Sequence, residues 1–157
     1  MAADRKQPSS RMCFICGRDN PLGLRMQFTE DIGAQQVRAE LTFPDEFQSY
    51  PGVVHGGIVA AVLDETAGRA VLLGGSDDDL MATLRLTIRY RMPTPTEVPL
   101  TAVGWVERRS GRGTRVAGEI RLLDGSVTAE CECLLAEVPD EFRHRWEAEK
   151  QHWRVDE

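Results

Sequence analysis

The stretch that most constrains this chain is His55-Gly56-Gly57 and the apolar run behind it. From Ile58 to Leu73 the polar residues are few: Asp64, Glu65, Thr66 and Arg69. The apolar residues fall on every side of a helical wheel, which predicts a buried helix. A strand is the alternative for so apolar a run, but its alanines and its length favour helix. The polar interruptions exclude a membrane span.

Two features of this helix suggest chemistry. Gly56 and Gly57 let another group approach the backbone, and the first amides of a helix point outward without internal partners. The dipole at that end favours negative charge, so the amides suit an oxyanion. Asp64 places a carboxylate in the middle of a buried helix, where it is costly unless paired or used. Gly57 and Asp64 are seven residues apart, which along one helix is about 10 Å. One helix cannot bring both groups to the same carbonyl, whereas two antiparallel copies can. The stretch therefore predicts a site shared between two subunits.

The His-Gly-Gly opening, followed by six residues and then Asp64, resembles the core helix of the hotdog-fold acyl-CoA thioesterases of the phenylacetate-pathway type. The resemblance extends from Cys13 to Val138 as an order of elements. It implies an α+β hotdog fold, an antiparallel β-sheet wrapped around a long central helix, with active sites between subunits. It implies an acyl-CoA substrate, a homodimer or homotetramer and no cofactor. Two other readings stay open: a non-catalytic acyl-CoA-binding protein, and a hydratase or dehydratase on the same fold. A dehydratase needs a His positioned as base, and His55 is the only candidate in the core.

The resemblance also suggests roles. Asp64 is the first choice for general base or nucleophile, by activating water or by direct attack on a thioester carbonyl. Glu65 is its competitor, more simply read as an exposed ion pair with Arg69 at i, i+4. Gly57 supplies the oxyanion amide, and Thr83 lies where the family carries a Ser or Thr near the attacking water. His55 and Gly56 are assigned to substrate binding, although a His beside a helix start also serves as a hydrogen-bonded structural residue. Six residues before the His, relatives carry Asn or Gln; here Ser49 stands there, with Gln48 beside it. The basic turn Arg108-Arg109-Ser110-Gly111-Arg112-Gly113 matches the place where relatives bind the nucleotide end of coenzyme A. Arg109, Gly111 and Arg112 are its candidate contacts, since phosphates need cations and free amides.

A length of 157 residues predicts one domain with a real core. The net charge of −6 argues against a nucleic-acid partner. Met1 to Arg11 lacks the apolar segment of a signal peptide, so a cytoplasmic location is expected. Residues 1–11 read as disordered, 12–138 as the hotdog domain, and 139–157 as a charged helix or tail. In that tail Trp146 and Trp153 are seven apart, which predicts one helix face.

Strand patterns run from Leu24 to Thr29 and from Val37 to Phe43, forming a hairpin about Gly33. Four more follow: Met81 to Tyr90, Pro99 to Arg109, Thr114 to Leu123 and Ser126 to Glu137. Turns at Gly111-Arg112-Gly113 and Asp124-Gly125 join the last three. Gly74, Gly75 and three aspartates read as a solvated loop that stops the helix.

Cys13-Phe14-Ile15-Cys16-Gly17 looks like a zinc knuckle, and Cys131-Glu132-Cys133 is a candidate second half. A Cys-x-Cys pair is not usual spacing for structural zinc. The expectation is therefore four reduced thiols and no metal.

Overall fold

The computed structural model describes residues 4–75 and 80–156. Seven antiparallel strands form one sheet, and a central helix packs on one face of it. In chain order the elements are β1 (Arg5–Lys6), β2 (Thr29–Asp31), β3 (Gln36–Leu41), α1 (Gly56–Gly68), β4 (Met81–Tyr90), β5 (Leu100–Ser110), β6 (Gly113–Leu122), β7 (Val127–Glu137) and α2 (Asp140–Glu149). The spatial order is β1-β2-β3-β5-β6-β7-β4. Neighbours in the β5-β6-β7 meander pair through tight turns, and Gly125, at φ 87°, closes the second of them. Among the described residues no helix is long and apolar enough to cross a membrane.

The core lies between the sheet and α1. Val59, Val62, Leu63, Thr66 and Ala67 of the helix are buried against the strands. The remaining face, with Ile58, Ala60, Ala61, Asp64, Glu65 and Gly68, is only half-buried. The expected burial on all sides is thus one-sided within a single chain, because a sheet covers one flank of a helix. The helix crosses the sheet at Gly104. A Cβ there would lie 2.4 Å from the Thr66 carbonyl oxygen, a backbone atom that cannot move aside.

Four further expectations are corrected. The helix does not run uniformly to Leu73; it ends at Gly68 and tightens into a 3-10 turn over Arg69–Leu72. The strand placed at Leu24 to Thr29 begins only at Thr29, since Arg25 takes φ 52° and breaks the extended backbone. Instead, Leu24 and Met26 donate backbone hydrogen bonds to Phe14 and Ile15 at 2.9 and 2.8 Å. The disorder expected over residues 1–11 does not describe residues 4–11. Arg5 and Lys6 pair with Glu30 and Thr29, and the Gln7 side chain is buried, donating to Glu30 Oε1 at 3.1 Å. Trp146 and Trp153 do not share one helix, because α2 stops at Glu149 and Trp153 follows a 3-10 turn. Their rings nevertheless meet edge to face, with centroids 5.2 Å apart. The aspartates expected in the loop after Gly75 lie outside the described residues.

Candidate active site

Asp64 sits on the half-buried flank of α1, one turn before the helix ends. Its Oδ1 accepts a 2.7 Å hydrogen bond from Thr83 Oγ1 of β4. The register between β4 and β7 shifts between Thr83 and Arg85, so a bulge at Leu84 re-aims the strand beside the carboxylate. Asp64 joins no ion pair among the described residues, which leaves its second oxygen available. Asp64 and Thr83 line a cavity of about 390 Å³ together with Trp146, Trp153, Val71 and Leu72.

A second cavity, of about 670 Å³, adjoins the first through Leu80 and Met81. Arg109, Gly111 and Arg112 of the basic turn line it. Arg143 of α2 lines it too, a cation that the sequence reading did not single out. Its helical position among many charges carried no distinguishing signal. Arg109 is held by a 3.3 Å bond from Nη2 to the Val71 carbonyl, while the Arg112 side chain is exposed on the turn.

The helix start is arranged differently. His55 is the N-cap of α1, and its Nδ1 accepts a 2.9 Å hydrogen bond from the Gly57 amide. The amide assigned to the oxyanion is therefore satisfied by its own chain's imidazole. Tyr90 Oη donates to the Gly56 carbonyl at 2.6 Å, tying β4 to the same turn. Gln48 Oε1 accepts from the Gly52 amide at 3.1 Å, and Ser49 is exposed beside it. Both belong to the loop before His55, and neither lines the Asp64 cavity.

Glu65 differs from the exposed pair expected of it. Arg69 Nε donates to Glu65 Oε1 at 2.8 Å, but Arg69 is only 3% exposed. It is boxed in by the Phe28 ring, 4.4 Å away, and by the Pro8 carbonyl, which accepts from Nη1 at 2.9 Å. Arg69 Nη2 is buried without a hydrogen-bond partner. The other Glu65 oxygen, Oε2, lies 3.8 Å from Cys13 Sγ.

All four cysteines are free thiols. The Cys16 thiol is lowered to about 6, first by the hydrogen bond it receives from Cys13 and then, against burial, by the Arg69 charge. Cys13 moves the other way, raised by giving that bond and by burial. Cys131 and Cys133 form a separate buried pair on β7, where Cys131 lies 3.7 Å from the Leu63 carbonyl. The neighbouring Cys133 thiol and burial push Cys131 up as well.

A family model described as the thioesterase superfamily matches residues 51–129. That span holds Asp64, Thr83, Arg109 and Arg112 but neither the Cys13–Cys16 segment nor α2. An acyl-coenzyme A thioesterase of Xenopus laevis, THEM4, is 34% identical over 79 residues, covering 49% of this chain and 33% of that protein. A solved thioesterase superfamily protein matches with a TM-score of 0.73 at 35% identity, over 80% of this chain and 63% of that one. A phenylacetic acid degradation-related protein of Ralstonia eutropha matches with a TM-score of 0.62 at 25% identity, over 71% of this chain and 84% of that one. The chain thus spans about a third of the curated relative's length and a little under two thirds of the first solved structure's.

Proposed function

The chain belongs to the thioesterase superfamily, and from that premise we propose that it hydrolyses an acyl-CoA thioester to the free acid and coenzyme A. The observation that carries this reading is the Thr83–Asp64 hydrogen bond, set in a cavity that opens into an arginine-lined one. An acyl group in the first cavity and a phosphate-bearing coenzyme A in the second would bring the thioester between them, beside Asp64.

In the proposed reaction Asp64 is the general base. Thr83 holds Oδ1, so the other carboxylate oxygen takes a proton from water as the water oxygen attacks the carbonyl carbon. The tetrahedral intermediate then collapses, the C–S bond breaks, and the departing sulfur takes the proton from Asp64. The partner subunit is proposed to stabilise the oxyanion with its helix-start amides. Because the Gly57 amide is occupied by His55 Nδ1, that role requires the imidazole to release it when substrate binds.

Two features support a homo-oligomer. The half-buried flank of α1 carries small residues, Ala60, Ala61 and Gly68, which suit close packing. The outer edge of β4 pairs with no described strand and exposes Leu84 and Tyr90, the kind of edge that proteins cover. The same reading proposes the cytoplasm as the compartment, since four unbridged thiols suit a reducing environment.

The test is thiol release from a panel of alkyl and aryl acyl-CoAs, followed with a thiol reagent. Wild type is expected to turn over at least one class, and Asp64→Asn to lose about 10²-fold or more in kcat, because Asn keeps the shape but accepts no proton from water. Unchanged turnover in Asp64→Asn would remove Asp64 as base. Tight acyl-CoA binding with no thiol released from any substrate would instead favour the binding-protein reading.

A further inference from the structure

The Cys13–Cys16 segment is built as a tight knuckle. The Gly17 amide donates to the Cys13 carbonyl at 2.7 Å, and a Cβ at Gly17 would fall 2.3 Å from that same oxygen. Only glycine allows the chain to close so sharply. The closure turns the amides of Ile15 and Cys16 onto Cys13 Sγ, at 3.3 and 3.4 Å. These two contacts fix the position of the sulfur beside the Glu65 carboxylate.

A third donor comes from the central helix. The sulfurs of Cys13 and Cys16 and a carboxylate oxygen of Glu65 lie within 4.8 Å of one another. Ligands at about 2.0–2.3 Å from one ion stand at comparable separations. The surroundings fit as well. Two thiolates and a carboxylate carry three negative charges, a divalent ion brings two positive ones, and the buried Arg69 guanidinium brings the last. Arg69 holds the far oxygen of Glu65, the way an outer-shell group orients a ligating carboxylate. Its Nη2, buried without a hydrogen-bond partner, is an N–H donor and not a ligand.

We propose that Cys13, Cys16 and Glu65 bind one zinc ion, pinning the N-terminal knuckle to α1 beside the Asp64 cavity. Two sulfurs and one oxygen select a borderline-soft ion over magnesium or calcium. The three donors line the cavity that holds Asp64 and Thr83, so the fourth position faces that space and takes water. The proposal departs from the expectation of four reduced thiols and no metal at two of them, Cys13 and Cys16. That expectation weighed Cys131 and Cys133 as the second half of a site, whereas the donor brought up by folding is a carboxylate. A Cys13–Cys16 disulfide would leave the Glu65 oxygen beside the sulfurs unused, whereas a metal engages it.

The experiment is titration of the reduced, metal-stripped full chain with cobalt(II), then competition with zinc(II). Wild type is expected to take up one cobalt per chain, with a thiolate-to-cobalt charge-transfer band that zinc abolishes. Cys13→Ser is expected to lose the band, and Cys133→Ala to keep it. Glu65→Gln preserves both sulfurs and the side-chain shape, and is expected to weaken zinc by about tenfold or more. Circular dichroism of each variant confirms that it is folded; if Cys13→Ser fails to fold, the Glu65→Gln affinity decides. No charge-transfer band in folded wild type, a band surviving in folded Cys13→Ser, or unchanged affinity in Glu65→Gln would each overturn the site. None of these readouts depends on thioesterase activity, so the two proposals fail separately.

Discussion

Thr83 Oγ1 stands 2.7 Å from Asp64 Oδ1, so an edge strand orients the carboxylate of the central helix. The two residues are nineteen apart in sequence and meet only because β4 returns along the flank of α1. Hydrogen bonds to charged groups contribute about 1.5–3 kcal/mol. Thr83→Val keeps the bulk and removes the donor. We expect kcat for thioester hydrolysis to fall about tenfold, with little change in KM and with Thr83→Ser restoring most of the rate. Equal loss in Val and Ser variants would assign Thr83 to packing instead.

Arg109, Arg112 and Arg143 converge on the second cavity from a hairpin and from α2. If phosphates dock there, replacing any two with Ala raises KM for acyl-CoA about tenfold or more and leaves kcat nearly unchanged. The same changes should leave hydrolysis of a short thioester lacking the nucleotide unaffected. A matching KM rise with that truncated substrate would mean that the arginines shape the cavity and do not read phosphate.

The uncovered flank of α1 and the open edge of β4 predict an assembly. Light scattering at micromolar concentration should give a dimer or tetramer. Ala61→Arg, on the half-buried flank, should shift it toward monomer and abolish turnover together, because a buried unpaired charge opposes association. An active monomer would discard the shared site.

Gly104 faces the Thr66 carbonyl at a distance no Cβ can occupy. Gly104→Ala should therefore lower the unfolding free energy by about 1–3 kcal/mol, the range for overpacked cores. Denaturant unfolding would show it as a lower midpoint at constant slope. Gly111→Ala, on a turn with open space at its Cβ, is the matched control and should cost much less.

The long periodic segments were legible in the sequence by itself. The apolar run opened by His55-Gly56-Gly57 became α1, and Met81 to Tyr90 became β4 with the same bounds. The four strands from β4 to β7 are set by alternation and turn chemistry, which act between residues close in the chain. The capping role of His55 was also within reach, since it needs only two residues of separation. Tertiary structure decided the rest. Gly104 under Thr66, Thr83 on Asp64 and the knuckle cysteines beside Glu65 join segments that no local pattern relates. The N-terminal strand looked disordered because its residues are polar. It has a place because Gln7 finds Glu30 and Arg69 in the interior, and a polar side chain is buried only where folding supplies its partners.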